Sequence, residues 1–192
     1  MIFGDNTAAA PAAWAHIQAR NVAMGFDMPS EPNTGAMLQL LAASKPGGRF
    51  LELGTGTGLA TAWLLSGMDS AARLISVDVD PAVQGVAREA LVDERLIFVV
   101  ADGLDYVRGQ QASAFDMIFA DAWPGKYDGL DETLSLLKSG GLYVIDDMTS
   151  QPNWPLGHQA RVDDLVIDLE RRPDLALVRL DWASGLVVAA KR

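Results

Sequence analysis

The chain has 192 residues, 49% of them hydrophobic and 21% charged, with a net charge of −10 and no cysteine; length and composition fit one globular domain, and the missing thiols exclude a disulfide framework or a thiolate metal site. Its acidity, with no cluster of lysine and arginine, opposes a phosphate backbone, so no nucleic acid is expected as partner. No run reaches the roughly eighteen apolar residues of a membrane span, and the opening "MIFGDNTAAAPAAW" lacks the basic start of a signal peptide; a cytoplasmic protein with no membrane partner is the simplest expectation.

In chain order, residues 8–25 show a helical period with Trp14, Ile17 and Met24 on one face. "GFDMPSEPNTG" (25–35) collects Gly25, Pro29, Pro32 and Gly35 and predicts a loop, after which "AMLQLLAAS" (36–44) is helical until "KPGG" stops it. Five short runs follow, "RFLELG" (49–54), "RLISVDVD" (73–80), "RLIFVVA" (95–101), "FDMIFADA" (115–122) and "GLYVIDD" (141–147). They are rich in β-branched and aromatic residues without polar alternation, as strands buried on both faces are. Helical stretches at 59–68, 81–91, 103–110 and 127–140 separate them, which implies a parallel sheet with right-handed crossovers. After a further helix over 159–172, "LALVRL" and "LVVAAK" are joined by only five residues, "DWASG", too few for a parallel crossover, so they form an antiparallel hairpin. The expected fold is α/β: a doubly wound, seven-stranded, mostly parallel sheet with a C-terminal antiparallel hairpin. A single domain over 1–192 is expected, with residues 1–34 as an N-terminal helix and loop over the active site and 35–192 as its core.

In such a sheet ligands sit beyond the C-terminal strand ends, where the strand order reverses. The loop there is "ELGTGTG" (52–58), whose Gly54, Gly56 and Gly58, with Thr55 between, let a ligand approach bare backbone. A nicotinamide-cofactor fingerprint needs its third glycine at position 59, where Leu59 stands, and the phosphate-cradling loop needs a lysine that is missing. Glu52 discourages a pyrophosphate and attracts an ammonium group. Asp78, at the end of the second strand, suits the two hydroxyls of a ribose, and Asp102, beside Gly103 after the third, suits the exocyclic amine of adenine. Amino acid, ribose and adenine together make S-adenosylmethionine.

With that motif, E/D-x-G-x-G-x-G, the chain resembles the class I S-adenosylmethionine-dependent methyltransferases, which implies a Rossmann-like fold and methyl transfer. From about Met28 onward it resembles more narrowly the small-molecule O-methyltransferases typified by catechol and caffeoyl-CoA O-methyltransferases. "MPSEPNTG" is similar to their loop at the methionine end of the cofactor, which puts Ser30 in contact with it. "FADAWPGKY" is similar to their segment after strand four, which makes Asp121 a Mg²⁺ ligand at the cofactor and Trp123 its aromatic neighbour. "VIDDM" is similar to the end of their fifth strand, which makes Asp146 and Asp147 further ligands of Mg²⁺ or another divalent cation. Two departures stand out: Pro124 occupies the place of the family's base lysine, leaving Lys126 as the nearest amine, and Asp147 replaces an asparagine.

The acceptor is then a small molecule whose hydroxyl must lose its proton. A divalent ion would lower that hydroxyl's pKa, with Asp121 among its ligands; without one, a general base is required. His158, in "QPNWPLGHQ", is the candidate base, against the alternative of an exposed loop histidine capping the helix near Gln159. Lys126 either orients an acidic or phenolic acceptor or is a solvated surface lysine, and His16 is expected to be packed. Trp154, Trp14 and Phe26 either wall the acceptor pocket or pack in the core, Trp63 and Trp182 are assigned to packing, and Trp14 with its apolar neighbours suggests a homodimer. Three rival functions stay open: an aminopropyltransferase using Asp121, Asp146 and Asp147 to bind a polyamine, a nicotinamide reductase, and a non-catalytic S-adenosylmethionine-binding protein.

Overall fold

The computed structural model describes residues 9–192; most of the opening stretch read for a leader, and the first residue of the helix predicted over 8–25, lie outside the described residues. The elements are α1 (Trp14–Met24), α2 (Pro32–Ala43), β1 (Arg49–Leu53), α3 (Leu59–Gly67), β2 (Arg73–Asp78), α4 (Pro81–Ala90), β3 (Leu96–Val100), α5 (Gly103–Arg108), β4 (Phe115–Ala120), α6 (Leu130–Ser135), β5 (Leu137–Ile145), α7 (His158–Arg171), β6 (Leu175–Leu180) and β7 (Leu186–Lys191). The strands form one sheet in the order β3-β2-β1-β4-β5-β7-β6. β1 to β5 pair in parallel, while β7 runs antiparallel to both β5 and β6. Strand order reverses between β1 and β4, so the crevice beyond their C-terminal ends is where such a sheet opens to a ligand. Among the described residues, no helix is long and apolar enough to cross a membrane.

Both faces of the sheet are covered. On one, Leu51, Leu53, Ile118 and Tyr143 pack with Val107 of α5, Leu134 of α6, and Val162, Leu165 and Leu169 of α7. On the other, Phe50, Leu74, Met117, Phe119 and Val144 meet Leu38 and Ala42 of α2 and Ala60 and Leu64 of α3. This explains why the central strands read as nearly unbroken apolar runs, with Glu52 and Ser76 as the buried polar exceptions. Trp63 is buried as expected, while Trp182 donates its indole N–H to the Asn33 main-chain oxygen at 3.1 Å.

Three local expectations are corrected. α2 begins inside the predicted loop, because Pro32 stands in its first turn, where a missing N–H costs nothing. The helix expected over 127–140 shrinks to α6, and β5 starts already at Leu137. Leu137 pairs with Phe115, the register then shifts, and pairing resumes at Leu142 with Met117. The chain turns there through Gly140 at φ 74°, so the glycines that resemble a helix stop sit inside a bulged strand. His16 is exposed rather than packed.

Phe119 is fully buried in the sheet between β1 and β5. Phe119→Ala should therefore lower unfolding free energy by about 3–5 kcal/mol in a denaturant titration.

Candidate active site

The loop between β1 and α3 is fixed from beneath by a buried polar chain. Glu52 points to the α3 side of the sheet and is fully buried. Its Oε2 accepts from Thr61 Oγ1 at 2.6 Å and from the Ser76 hydroxyl. Ser76 lies 2.6 Å from Thr55 Oγ1, which in turn accepts from Gln84 Nε2 at 3.0 Å. With the Ser76 proton on Glu52, Thr55 donates to Ser76, and the glycine loop is tied to β2 and α4 at once. Oε1 of Glu52 has no partner. Burial, opposed by the Ser76 and Thr61 hydroxyls and aided by the charge of Asp78, pushes the Glu52 carboxyl up to about 7.

Above this chain the backbone is bare. Gly54 sits at φ 99°, and a Cβ there would stand 2.5 Å from the Asp121 main-chain oxygen, so only glycine permits the approach of β1 to the β4 end. The Gly56 N–H donates to Asp78 Oδ2 at 2.8 Å, and Asp78 Oδ1 accepts from the Asp80 N–H at 2.9 Å. A cleft of about 310 Å³ opens here, lined by Phe26, Ser30, Gly54, Thr55, Gly56 and Asp78 among others. A Cβ on Gly56 would lie 3.4 Å from Phe26, on the wall the two residues share. Bare backbone and an acid with a free lone pair on each oxygen fit an adenosyl ligand.

A second cavity of about 410 Å³ adjoins the first. Met28, Pro29, Ser30, Asp121, Ala122 and Asp147 line both. The second is acidic on one side, through Asp121, Asp146 and Asp147, and aromatic on the other, through Trp123, Tyr127, Trp154 and His158. His158, the first residue of α7, is buried. Its ring stacks on Trp123 at 5.8 Å, meets the edges of Tyr127 and Trp154 at 5.3 and 4.6 Å, and places Nε2 3.2 Å from the Tyr127 hydroxyl. The exposed-loop alternative for His158 is thereby overturned. Burial, then the charges of Lys126 and Arg161, hold its imidazole below the ordinary histidine value, and burial pushes the Tyr127 phenol up to about 12.

On the acidic side, Asp146 Oδ1 accepts from Thr34 Oγ1 at 3.4 Å, from the Asp147 N–H at 2.9 Å and from the Ser184 hydroxyl. Burial pushes Asp146 up to about 6 against the Ser184 bond. Asp121 is held well above the usual carboxylate range by burial, then by Asp146 and Asp147, while Ser30 Oγ donates to its Oδ2 at 3.4 Å. Burial also raises Asp147 and lowers Lys126. Lys126 is only 4% exposed and donates to the Asp146 main-chain oxygen at 2.6 Å, so the solvated-lysine alternative is also overturned.

The three carboxylates are hard donors of the kind Mg²⁺ selects, yet this site does not fit the ion. Among the described residues no three His, Cys, Asp or Glu side chains gather closely enough to hold a metal. Oδ1 of Asp146 is already saturated by three donors, and a buried ammonium lines the same cavity.

Of the residues singled out in the sequence, Gly54, Thr55, Gly56 and Asp78 line the first cleft, Trp123, Lys126, Asp146 and His158 line the second, and Ser30, Asp121 and Asp147 line both. Glu52 and Gly58 lie beneath, with Gly58 as the N-cap of α3. Asp102 and Gly103 are not part of either lining; Asp102 caps α5 by accepting from the Leu104 and Asp105 N–H groups at 2.8 and 3.1 Å. Trp154 lines the second cavity and Phe26 the first, whereas Trp14 packs with Ile17, Leu59 and Ala62. Sequence reading missed Ser76, Thr61 and Gln84 beneath the loop, and Tyr127, Thr34 and Ser184 around the second cavity. Tyr127 had a signal, since it follows Lys126 in the segment already singled out; a lone serine or threonine has none.

Fold and clefts together define an open doubly wound α/β protein with two adjoining cavities at its switch point. The chain belongs to the methyltransferase domain family, whose profile matches residues 51–148. A Mycobacterium tuberculosis protein described as a probable O-methyltransferase is 32% identical over 120 residues, 59% of this chain and 54% of the relative; the chain spans about half the length of the curated relatives it matches. Two solved structures share the fold. A methyltransferase of Podospora anserina bound to S-adenosylhomocysteine superposes with a TM-score of 0.82 at 19% identity, covering 97% of this chain and 91% of its own. The O-methyltransferase of tomaymycin synthesis from Streptomyces achromogenes, in complex with S-adenosylmethionine, gives 0.78 at 21%, covering 100% and 92%.

The buried Glu52 carboxyl yields a pH prediction. Between about pH 4.5 and 7 the unfolded chain loses the proton that the folded chain keeps, so this group's contribution to stability is fully present below that window and is lost as pH rises through it. Glu52→Gln should flatten the fall in unfolding free energy across the window by roughly 3 kcal/mol, read from urea titrations at a series of pH values.

Proposed function

We propose that the protein is a single-domain methyltransferase that moves the methyl group of S-adenosylmethionine onto the hydroxyl oxygen of a small phenolic molecule. The observation that carries this reading is the shared wall: the cleft with bare backbone and Asp78 adjoins the cavity with the acids and aromatic rings across Ser30, Asp121 and Asp147. A ligand whose adenosyl end occupies the first presents its sulfonium at that wall to a molecule in the second. Relatives described as O-methyltransferases support the same reaction.

The sulfonium supplies an activated methyl group and a neutral leaving group. What the protein supplies is alignment and a destination for the acceptor's proton. Glycine-loop backbone and Asp78 hold the nucleoside, and Ser30 and Asp121 bound the reacting end. The rings of Trp123 and Trp154 flank a planar acceptor. Its hydroxyl proton passes to the Tyr127–His158 pair, where the imidazole, kept neutral by burial, accepts it and later returns it to water.

The acidic lining favours aminopropyl transfer as a second reading, with a polyamine as acceptor; binding without transfer is the third. A cytoplasmic setting without a nucleic-acid partner is proposed, the latter from the net charge of −10. A homodimer is proposed through the exposed Val22 and Met24 of α1.

Thermal shift separates the readings: S-adenosylhomocysteine should stabilise the protein more than decarboxylated S-adenosylmethionine or NAD, and a larger shift with either of the latter overturns the assignment. His158→Gln and Tyr127→Phe should each lower kcat by about 10²-fold with affinity for S-adenosylhomocysteine unchanged. The acid limb of the wild-type pH–rate profile, set below the ordinary histidine value, should vanish in His158→Gln.

A further inference from the structure

The cation of the second cavity belongs to the protein itself. We propose, resting on the methyl-transfer reading above, that the Lys126 ammonium fills the place of a divalent ion, so that transfer needs no metal and grips one acceptor oxygen instead of chelating two.

A lysine is almost never fully buried without a purpose for its charge, and Lys126 is 4% exposed. Among the described residues one of its three N–H groups is used, on the Asp146 main-chain oxygen at 2.6 Å, and Nζ lies 5.3 Å from the Tyr127 ring centroid; the remaining donors are left for the cavity that Lys126 lines. The backbone that presents it is fixed. The Trp123 carbonyl accepts from the N–H groups of Lys126, Tyr127 and Asp128, the Gly125 N–H donates to the Asp128 carbonyl, and the Tyr143 hydroxyl donates to the Gly125 carbonyl. The amine is therefore held in place before any ligand arrives. A divalent ion beside it would meet Coulomb repulsion at low dielectric, and one of the three acids that could attract such an ion, Asp146, has Oδ1 saturated by Thr34, Ser184 and the Asp147 N–H.

The chemistry differs between the two cations. An octahedral ion with two open positions takes two neighbouring oxygens, whereas an ammonium is a point donor that needs one. The acceptor oxygen is oriented by Lys126 while its proton leaves for Tyr127 and His158. An oxygen lone pair forms the new C–O bond, and the electron pair of the breaking S–C bond returns to sulfur, giving a neutral thioether. Lys126 keeps its protons throughout. The acceptor class is therefore a phenol, with no requirement for a vicinal diol.

The test uses the whole chain with S-adenosylhomocysteine or S-adenosylmethionine. Water-proton relaxation should show no saturable Mn²⁺ binding at concentrations up to about millimolar, well above the affinity of a built site. In transfer assays, EDTA should change turnover by less than about twofold, and phenols with one hydroxyl should react within about tenfold of catechols. Lys126→Met should lower kcat about a hundredfold, as loss of a charge-stabilising donor does, with affinity for S-adenosylhomocysteine retained and partial recovery in Lys126→Arg; Lys126→Gln replaces the first variant if it fails to fold. Saturable Mn²⁺ binding that disappears in Asp146→Asn, EDTA inactivation reversed by Mg²⁺, or full turnover in Lys126→Met overturns the inference. If no phenol or catechol is methylated, the methyl-transfer reading fails, and the Mn²⁺ titration then decides the metal question by itself: binding overturns it and its absence upholds it.

Discussion

The site depends on a carboxylate buried where a hydrophobic residue would be expected. Glu52 occupies a position of β1 that faces α3, on a sheet face otherwise packed with Phe50, Phe119 and Leu64. Burying an acid without a cationic partner is expensive, and the protonated form relieves most of that cost. Its return is geometric. Through Ser76 and Thr55 it fixes the loop whose main chain forms the floor of the first cleft, and through Thr61 it fixes the first turns of α3. A leucine at 52 would pack as well and would leave Thr55 and Ser76 without an acceptor at the end of their hydrogen-bond chain.

Asp121 is the second joint. Its main-chain oxygen sits where a side chain on Gly54 would have to go, which brings the ends of β1 and β4 together at the reversal of strand order. Its side chain lies at the boundary of both cavities. One residue therefore couples the glycine loop to the second cavity. The segment from Phe26 to Glu31, which closes the other side of this boundary, comes from outside the sheet and supplies Ser30 to the same carboxylate.

How much of this was legible follows from how each feature is encoded. The strands, the hairpin and the glycine loop are written in contiguous residues, so periodicity and spacing found them. The α6–β5 junction was misread because "LSLLKSGG" meets the requirements of a helix end and of a bulged strand equally, and only the pairing of Leu137 with Phe115 decides. Asp102 was read from its place after a strand, but its side chain is taken by the backbone of α5. The groups around Asp146 were invisible for a different reason: Thr34 and Ser184 are separated from it by 112 and 38 positions, and no local pattern marks a hydroxyl that will meet a carboxylate at that range. Glu52 was found by motif, yet its orientation was not, since a strand end gives no sign of which face a side chain takes until the helix above it is in place.

The charge balance of the second cavity explains its division into an acidic and an aromatic side. Burial makes the ionised forms of Asp121, Asp146 and Asp147 costly, and neighbouring carboxylate charge adds to that cost at Asp121 and Asp146. Two routes relieve it: protonation, or a cation among them. The protein adds hydrogen bonds, from two hydroxyls and an N–H to Asp146, and places the Lys126 amine on the main-chain oxygen of the same residue. The rings of Trp123, Tyr127 and Trp154 line the rest of the cavity, with the Arg161 guanidinium over Trp123 and Tyr127 at 4.6 and 4.7 Å from their centroids. In the methyl-transfer reading the imidazole takes up a proton among these rings, with Asp147 close enough for its charge to oppose the effect of burial. The imidazole is buried among Trp123, Tyr127 and Trp154, with Nε2 3.2 Å from the Tyr127 hydroxyl.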